Sequence, residues 1–177
     1  MNANLNANIN QNKNRVNFQD NINNNTQTGF GFSPNYSYDE ILELGVNFNW
    51  NYNRSKSSLR PDIITNFWIQ TYSPYLVLDL PFGLKFNTDV EFNKRQQAYE
   101  SETNLNTVIW NANISYKMLK SKKLIATVSA YDILNQNVGF YRTANSNFVT
   151  QNVYSTLKRY VLFSLTYQIN NGPGREN

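Results

Sequence analysis

The chain has 177 residues, enough for one domain, a net charge of +4, and neither cysteine nor histidine. Disulfides, thiolate metal sites, a cysteine nucleophile and any Ser-His-Asp triad are thereby excluded, and with them the commonest general base and metal ligand. Its 16 Lys and Arg are scattered rather than gathered into a stripe, which argues against nucleic acid as a partner.

The first segment sets Ala3, Leu5, Ala7 and Ile9 against Asn2, Asn4, Asn6, Asn8 and Asn10, the period of two of a strand with one apolar face. From about Gln11 to Gln27 the chain is mostly polar and reads as a long loop. A second strand is expected from Thr28 to about Tyr36, with Phe30 and Phe32 opposed by Gly29, Gly31 and Ser33. Ser37–Glu40 then connects to the clearest strand of the chain. There Leu42, Leu44, Val46, Phe48, Trp50 and Tyr52 share one face, and Glu43, Gly45, Asn47, Asn49, Asn51 and Asn53 the other. It is longer than the roughly 9–11 residues that a tilted strand needs to cross a bilayer. Arg54–Asp62 reads as a basic, polar loop, and a fourth strand follows over Thr65–Leu80, where Pro74 implies a bulge or a locally unpaired edge.

Pro81-Phe82-Gly83 is a tight turn. Beyond it Leu84, Phe86, Thr88, Val90 and Phe92 alternate with Lys85, Asn87, Asp89, Glu91 and Asn93. After a polar loop, Gln96–Asn104, Val108 to Met118 repeats the design. A basic turn at Lys120–Lys123 precedes Leu124–Tyr131. A long connection, Asp132 to Thr156, then leads to a closing strand with Val161, Phe163, Leu165, Tyr167 and Ile169 on one face. No run of about 18 apolar residues occurs, so no transmembrane helix is expected. Met1 opens straight onto a strand pattern without a basic, then apolar leader, so an export signal has been removed or lies upstream of a truncation, and truncation is the expectation.

Taken together, the pattern predicts an all-β fold: an antiparallel up-and-down transmembrane β-barrel with about eight strands present. Long and short connections alternate, which places the long loops extracellular and both termini periplasmic in a Gram-negative cell outer membrane. Residues 1–177 form a single outer-membrane barrel segment, with 170–177 a short periplasmic tail.

Three stretches in order add a resemblance: Trp110-Asn111-Ala112-Asn113-Ile114-Ser115, then Tyr131-Asp132-Ile133-Leu134-Asn135-Gln136-Asn137, then Arg159-Tyr160 with Phe163-Ser164-Leu165-Thr166-Tyr167. From about Leu84 to Ile169 the chain resembles the C-terminal end of Bacteroidetes outer-membrane β-barrel proteins related to TonB-dependent receptors. The resemblance implies a barrel of about 22 strands, filled by an N-terminal plug and energised through the TonB system. A nutrient ligand and a surface lipoprotein are its implied partners. The chain has no plug and no TonB-contacting segment, so the expectation is the C-terminal portion of a larger barrel.

No residue stands out as catalytic, cofactor-binding or metal-ligating, and the chain is not expected to be an enzyme. Asp132 with Asn135 and Asn137 could hold calcium, but short polar side chains satisfying backbone groups in a turn explain them with fewer demands. Asp89 and Glu91 share a face and could form an acid pair; Lys85 on the same face favours a solvated wall. Trp50, Tyr52, Trp68, Trp110, Tyr116 and Tyr167 could stack on a sugar, and an interfacial girdle accounts for them as well. Gln11–Gln27 and Gly139–Thr156 are the loops in which ligand contacts are expected. Two alternatives to an import barrel remain at this stage: a self-standing eight-stranded barrel acting as adhesin or anchor, and a secreted carbohydrate-binding β-sandwich.

Overall fold

A computed structural model describes residues 1–96, 105–119, 121–144 and 149–169. Its strands are β1 (Asn2–Val16), β2 (Gln19–Ser33), β3 (Asn35–Tyr38), β4 (Leu42–Ser57), β5 (Arg60–Leu80), β6 (Leu84–Arg95), β7 (Leu105–Met118), β8 (Leu124–Tyr131), β9 (Gly139–Ala144), β10 (Val149–Tyr154) and β11 (Tyr160–Tyr167). One nine-stranded antiparallel sheet carries the order β1-β2-β4-β5-β6-β7-β8-β11, with the short β3 also paired to β4, and β9 and β10 form a separate hairpin. Strands follow one another along the path in chain order, as an up-and-down meander requires, with the β9–β10 hairpin inserted between β8 and β11. The main sheet is open: β1 and β11 are its edges. It is a single layer and not two packed sheets, which overturns the sandwich alternative.

Register keeps the two faces apart along the whole sheet. Phe32, Phe48, Tyr72, Phe92 and Val108 fall in one cross-strand row, and Leu42, Leu78, Phe86, Ile114, Val128 and Phe163 in another. The opposite face carries rows such as Asn4–Gly31–Asn49–Thr71–Asn93–Thr107. Leu42 to Tyr52 climbs about 33 Å along β4. Tilted by about 40°, that row makes an apolar band about 25 Å tall, the height of a hydrocarbon core. Buried groups gather on the polar face: Asn21, Ser57 and Thr65 are closed off from solvent, and Phe67 is the one buried large hydrophobic among the described residues.

The strands run well beyond that band. β5 has 21 residues, about 70 Å of extended chain. Two expected loops are therefore corrected. Gln11–Gln27 is mostly strand: β1 pairs with β2 up to Val16↔Gln19, and only Asn17 and Phe18 turn, both at positive φ as in a type I′ turn. Arg54–Asp62 is likewise the end of β4, a two-residue turn at Ser58-Leu59, and the start of β5. Above the apolar band neither face meets lipid and both carry polar side chains, so the alternation that reveals a strand disappears while its ladder hydrogen bonds persist. The strand expected over Thr28–Tyr36 splits at Pro34 into the end of β2 and β3, because proline cannot donate to a ladder.

The long connection Asp132–Thr156 also holds structure, the β9–β10 hairpin. Pro74 matches its expectation: β5 pairs with β6 at Tyr72↔Phe92 and again at Tyr75↔Asp89, with Ser73 and Pro74 skipped and the register unshifted. The tight turn at Pro81–Gly83 is present, with Phe82 and Gly83 both at positive φ. The expected tail 170–177 and most of the Gln96–Asn104 loop lie outside the described residues.

Candidate functional site

The polar face of β1, β2 and β4 is a wall of carboxamides. Every second residue from Asn4 to Asn14 is asparagine, and Asn21, Asn23, Asn25 and Gln27 on β2 and Asn47, Asn49, Asn51 and Asn53 on β4 continue it. Glycine makes room for these side chains at two positions. A Cβ on Gly29 would run into the Asn6 amide oxygen, and one on Gly31 into that of Asn4, with Asn51 and Asn49 closing in from the other side. The upper end of the wall is locked: Ser57 Oγ donates to Asn21 Oδ1 at 2.6 Å, and Ser55 Oγ to Asn25 Oδ1 at 2.7 Å. Arg95 stacks its guanidinium over the Phe67 ring, 4.7 Å from the centroid, and covers the one apolar side chain buried there.

Between the amides lies a recess of about 240 Å³ lined by Asn8, Asn10, Asn25, Gln27, Asn53, Ser55 and Phe67. The Asn53 Nδ2 group is buried there without a hydrogen-bond partner among the described residues. An unmet donor beside an open recess offers a hydrogen bond to whatever acceptor enters. The other end of the face carries an ion pair. There Lys85 pairs with Asp79 at 3.0 Å, and the Tyr75 hydroxyl donates to Glu43 at 3.0 Å. At the far tip of the β1–β2 hairpin, Lys13 and Arg15 both bind Asp20, at 2.9 and 3.0 Å, and these hydrogen bonds hold its carboxyl below the usual carboxylate range.

The structure places each residue singled out in the sequence. Asp132 closes a turn at the exit of β8: its carboxylate accepts the backbone N–H groups of Gln136 (2.8 Å) and Asn137 (3.0 Å). Asp132 and Asn135 both sit at positive φ, where Asp and Asn are tolerated better than most residues. The turn also continues the sheet without being a strand. Ile133 N–H donates to Trp110 O at 2.8 Å, and Gln136 Oε1 accepts Val108 N–H at 2.9 Å, standing in for a missing strand neighbour. Asn135 Oδ1 accepts the Arg159 N–H at 3.3 Å, which fixes the start of β11. The cluster is spent on backbone groups.

Asp89 and Glu91 do not form a pair. Asp89 accepts from Asn111 Nδ2 at 2.9 Å and Glu91 from Asn93 Nδ2, while Lys85 goes to Asp79. The aromatics stand on the apolar face as a girdle, with Tyr52 and Trp68 rings 5.0 Å apart and Phe30 and Trp50 5.4 Å apart. Trp110 donates its indole N–H to Thr88 Oγ1 at 2.8 Å. Tyr116 and Tyr167 are exposed on the same face. The amide wall and the Arg95–Phe67 stack escaped the sequence reading because they exist only once the register is known. The uninterrupted Asn alternation was their one visible sign.

One apolar face of bilayer height, an opposite face of amides and glycines, and an aromatic girdle define the wall of a membrane-spanning β-barrel. The family comparison agrees: the model of the outer membrane protein beta-barrel family matches residues 2–167, so the chain belongs to that family. No curated protein and no solved structure matches it.

Proposed function

We propose that these strands form part of the wall of a wide, TonB-dependent-receptor-like import barrel in the outer membrane of a Bacteroidetes bacterium. One observation carries this reading: the sheet keeps two free edges, β1 and β11. Unpaired backbone groups are not tolerated in lipid, so in the membrane each edge takes a further strand. A wider barrel supplies those strands and gives the amide wall a wet lumen through which a bulky nutrient passes. In this arrangement the long hairpins are extracellular, the termini periplasmic, the outer face meets outer-membrane lipid, and a surface lipoprotein and the TonB system act with the whole protein. The wall itself does no enzymatic chemistry.

A second reading, a closed eight-stranded barrel serving as anchor or adhesin, has one observation in its favour. The path β1 to β11 has an even number of strands, so the two edges run antiparallel, as closure requires. Against it, the inward rows through Gly29 and Gly31 lack the large side chains that fill small barrels. Refolding the 177 residues into detergent micelles and bilayers separates the two. The wide-barrel reading expects no discrete heat-modifiable band and β-signal only in aggregates. A compact band that shifts on boiling would establish self-closure instead.

A further inference from the structure

On the outward face, at the edge of the apolar band towards the long hairpins, the register sets Trp50, Gln70, Lys94 and Asn106 side by side. Lys94 stands two residues beyond Phe92, about 7 Å past the last apolar side chain of β6. Trp68 flanks it from the next row, where the strand continues by Gln96 N–H donating to Trp68 O at 3.0 Å. Trp68, Gln70, Lys94, Arg95, Gln96 and Asn106 enclose a recess of about 290 Å³ at girdle height. Arg54 lies one row further out, on the strand beside Trp68. Neither Lys94 nor Arg54 has an ion-pair partner among the described residues.

A hydrogen-bond chain orients the Gln70 amide of this recess. The Trp50 indole N–H can only donate, and it donates to the Tyr72 hydroxyl oxygen at 3.1 Å. The Tyr72 O–H therefore points onward, to Gln70 Oε1 at 2.9 Å. With its oxygen occupied, Gln70 offers its Nε2 hydrogens to the recess, beside the Lys94 ammonium. The recess is thus a cluster of amide donors around the Lys94 ammonium, which has no ion-pair partner among the described residues, with Arg95 also in its wall and an indole bounding it, at the depth where lipid headgroups lie. An ammonium with converging N–H groups selects a compact, doubly charged oxyanion over a zwitterionic headgroup.

We infer that this recess binds the phosphomonoester headgroup of a glycolipid in the leaflet on the long-hairpin side, with Lys94 and Gln70 on the phosphate and Trp68 against the sugar or upper acyl chain. Native mass spectrometry of the protein extracted in detergent tests it, with diphosphorylated lipid A and its enzymatically dephosphorylated form as probes. The expected result is retention of the phosphorylated lipid alone, weakened about tenfold or more in Lys94→Gln and unchanged in Lys122→Gln at the opposite rim. Gln70→Glu keeps the Tyr72 hydrogen bond while placing a carboxylate in the recess, and it produces the same loss should Lys94→Gln prove poorly folded. Equal retention of both lipids, or no change in either recess variant, overturns the inference. Displacement of the lipid by millimolar inorganic phosphate also overturns it, by assigning the recess to a free anion.

Discussion

Val128 and Thr127 are neighbours in the chain that face opposite solvents, and arginine at each measures the difference. Val128 lies near the middle of the outward row Leu124–Ala130, paired with Ile114 on one side and Phe163 on the other. Val128→Arg puts a guanidinium into the hydrocarbon region, which costs about 2–4 kcal/mol near a bilayer midplane. That is roughly a 30- to 1,000-fold loss in the folding equilibrium. Thr127 lies opposite Ser115, with which it shares a hydroxyl hydrogen bond of 3.0 Å, and opposite Ser164 on β11. Thr127→Arg loses that weak bond and gains a hydrated charge, a change of about 0–1 kcal/mol. Denaturant titration of the full-length protein folded in lipid vesicles, followed by tryptophan fluorescence, reads both values. Equal costs for the two arginines, or a larger cost at Thr127, would refute the assignment of faces.

Gly45 lies beneath the Tyr75 ring, where a new Cβ would sit 2.7 Å from Cε1, so Gly45→Val should displace the ring and cost about 1–3 kcal/mol in the same titration, with little effect from Tyr75→Phe. Asp132→Ala removes the acceptor of two backbone N–H groups; hydrogen exchange at Gln136 and Asn137 should speed up about tenfold or more while β5 and β6 keep their protection. Asp20 titrates below its ordinary 3.8 because Lys13 and then Arg15 bind it, so its contribution to the β1–β2 tip is complete above that value and disappears as pH falls through the lowered one. Exchange at Val16 and Gln19 should accelerate over that acid range, less so in high salt, and an unchanged profile in Asp20→Asn is the expected control.

Within the apolar band the sequence reading was close. There one face meets lipid and the other water, so each strand announces itself by alternation: Leu124–Tyr131 emerges as β8 with the bounds read from the residues. Beyond the band nothing forces alternation. Lys13 and Arg15 face outward, Asn12 and Asn14 inward, and all are polar, so a strand there looks like a loop. The Asp132 turn was legible because Asp and Asn offset by three and five residues are a local signal. Contacts such as Arg95 with Phe67, or the chain from Trp50 through Tyr72 to Gln70, join residues on different strands or depend on which amide faces which neighbour. Such contacts follow from register, which composition and periodicity do not carry.

The most direct test of a lipid-facing and a water-facing side is a single-cysteine scan of β4, which the absence of native cysteine makes clean. Each position from Leu42 to Ser57 is replaced in turn, spin-labelled, and probed in bilayers with oxygen and a water-soluble paramagnetic reagent. The expected result is a period of two over Leu42–Asn53, with Leu44, Val46, Phe48 and Trp50 accessible to oxygen and Asn47, Asn49 and Asn51 to the aqueous reagent. The oxygen signal should then fade from Arg54 to Ser57 as the outward face leaves the lipid. Alternation of opposite phase, or none at all across Leu42–Asn53, would contradict the membrane-wall assignment.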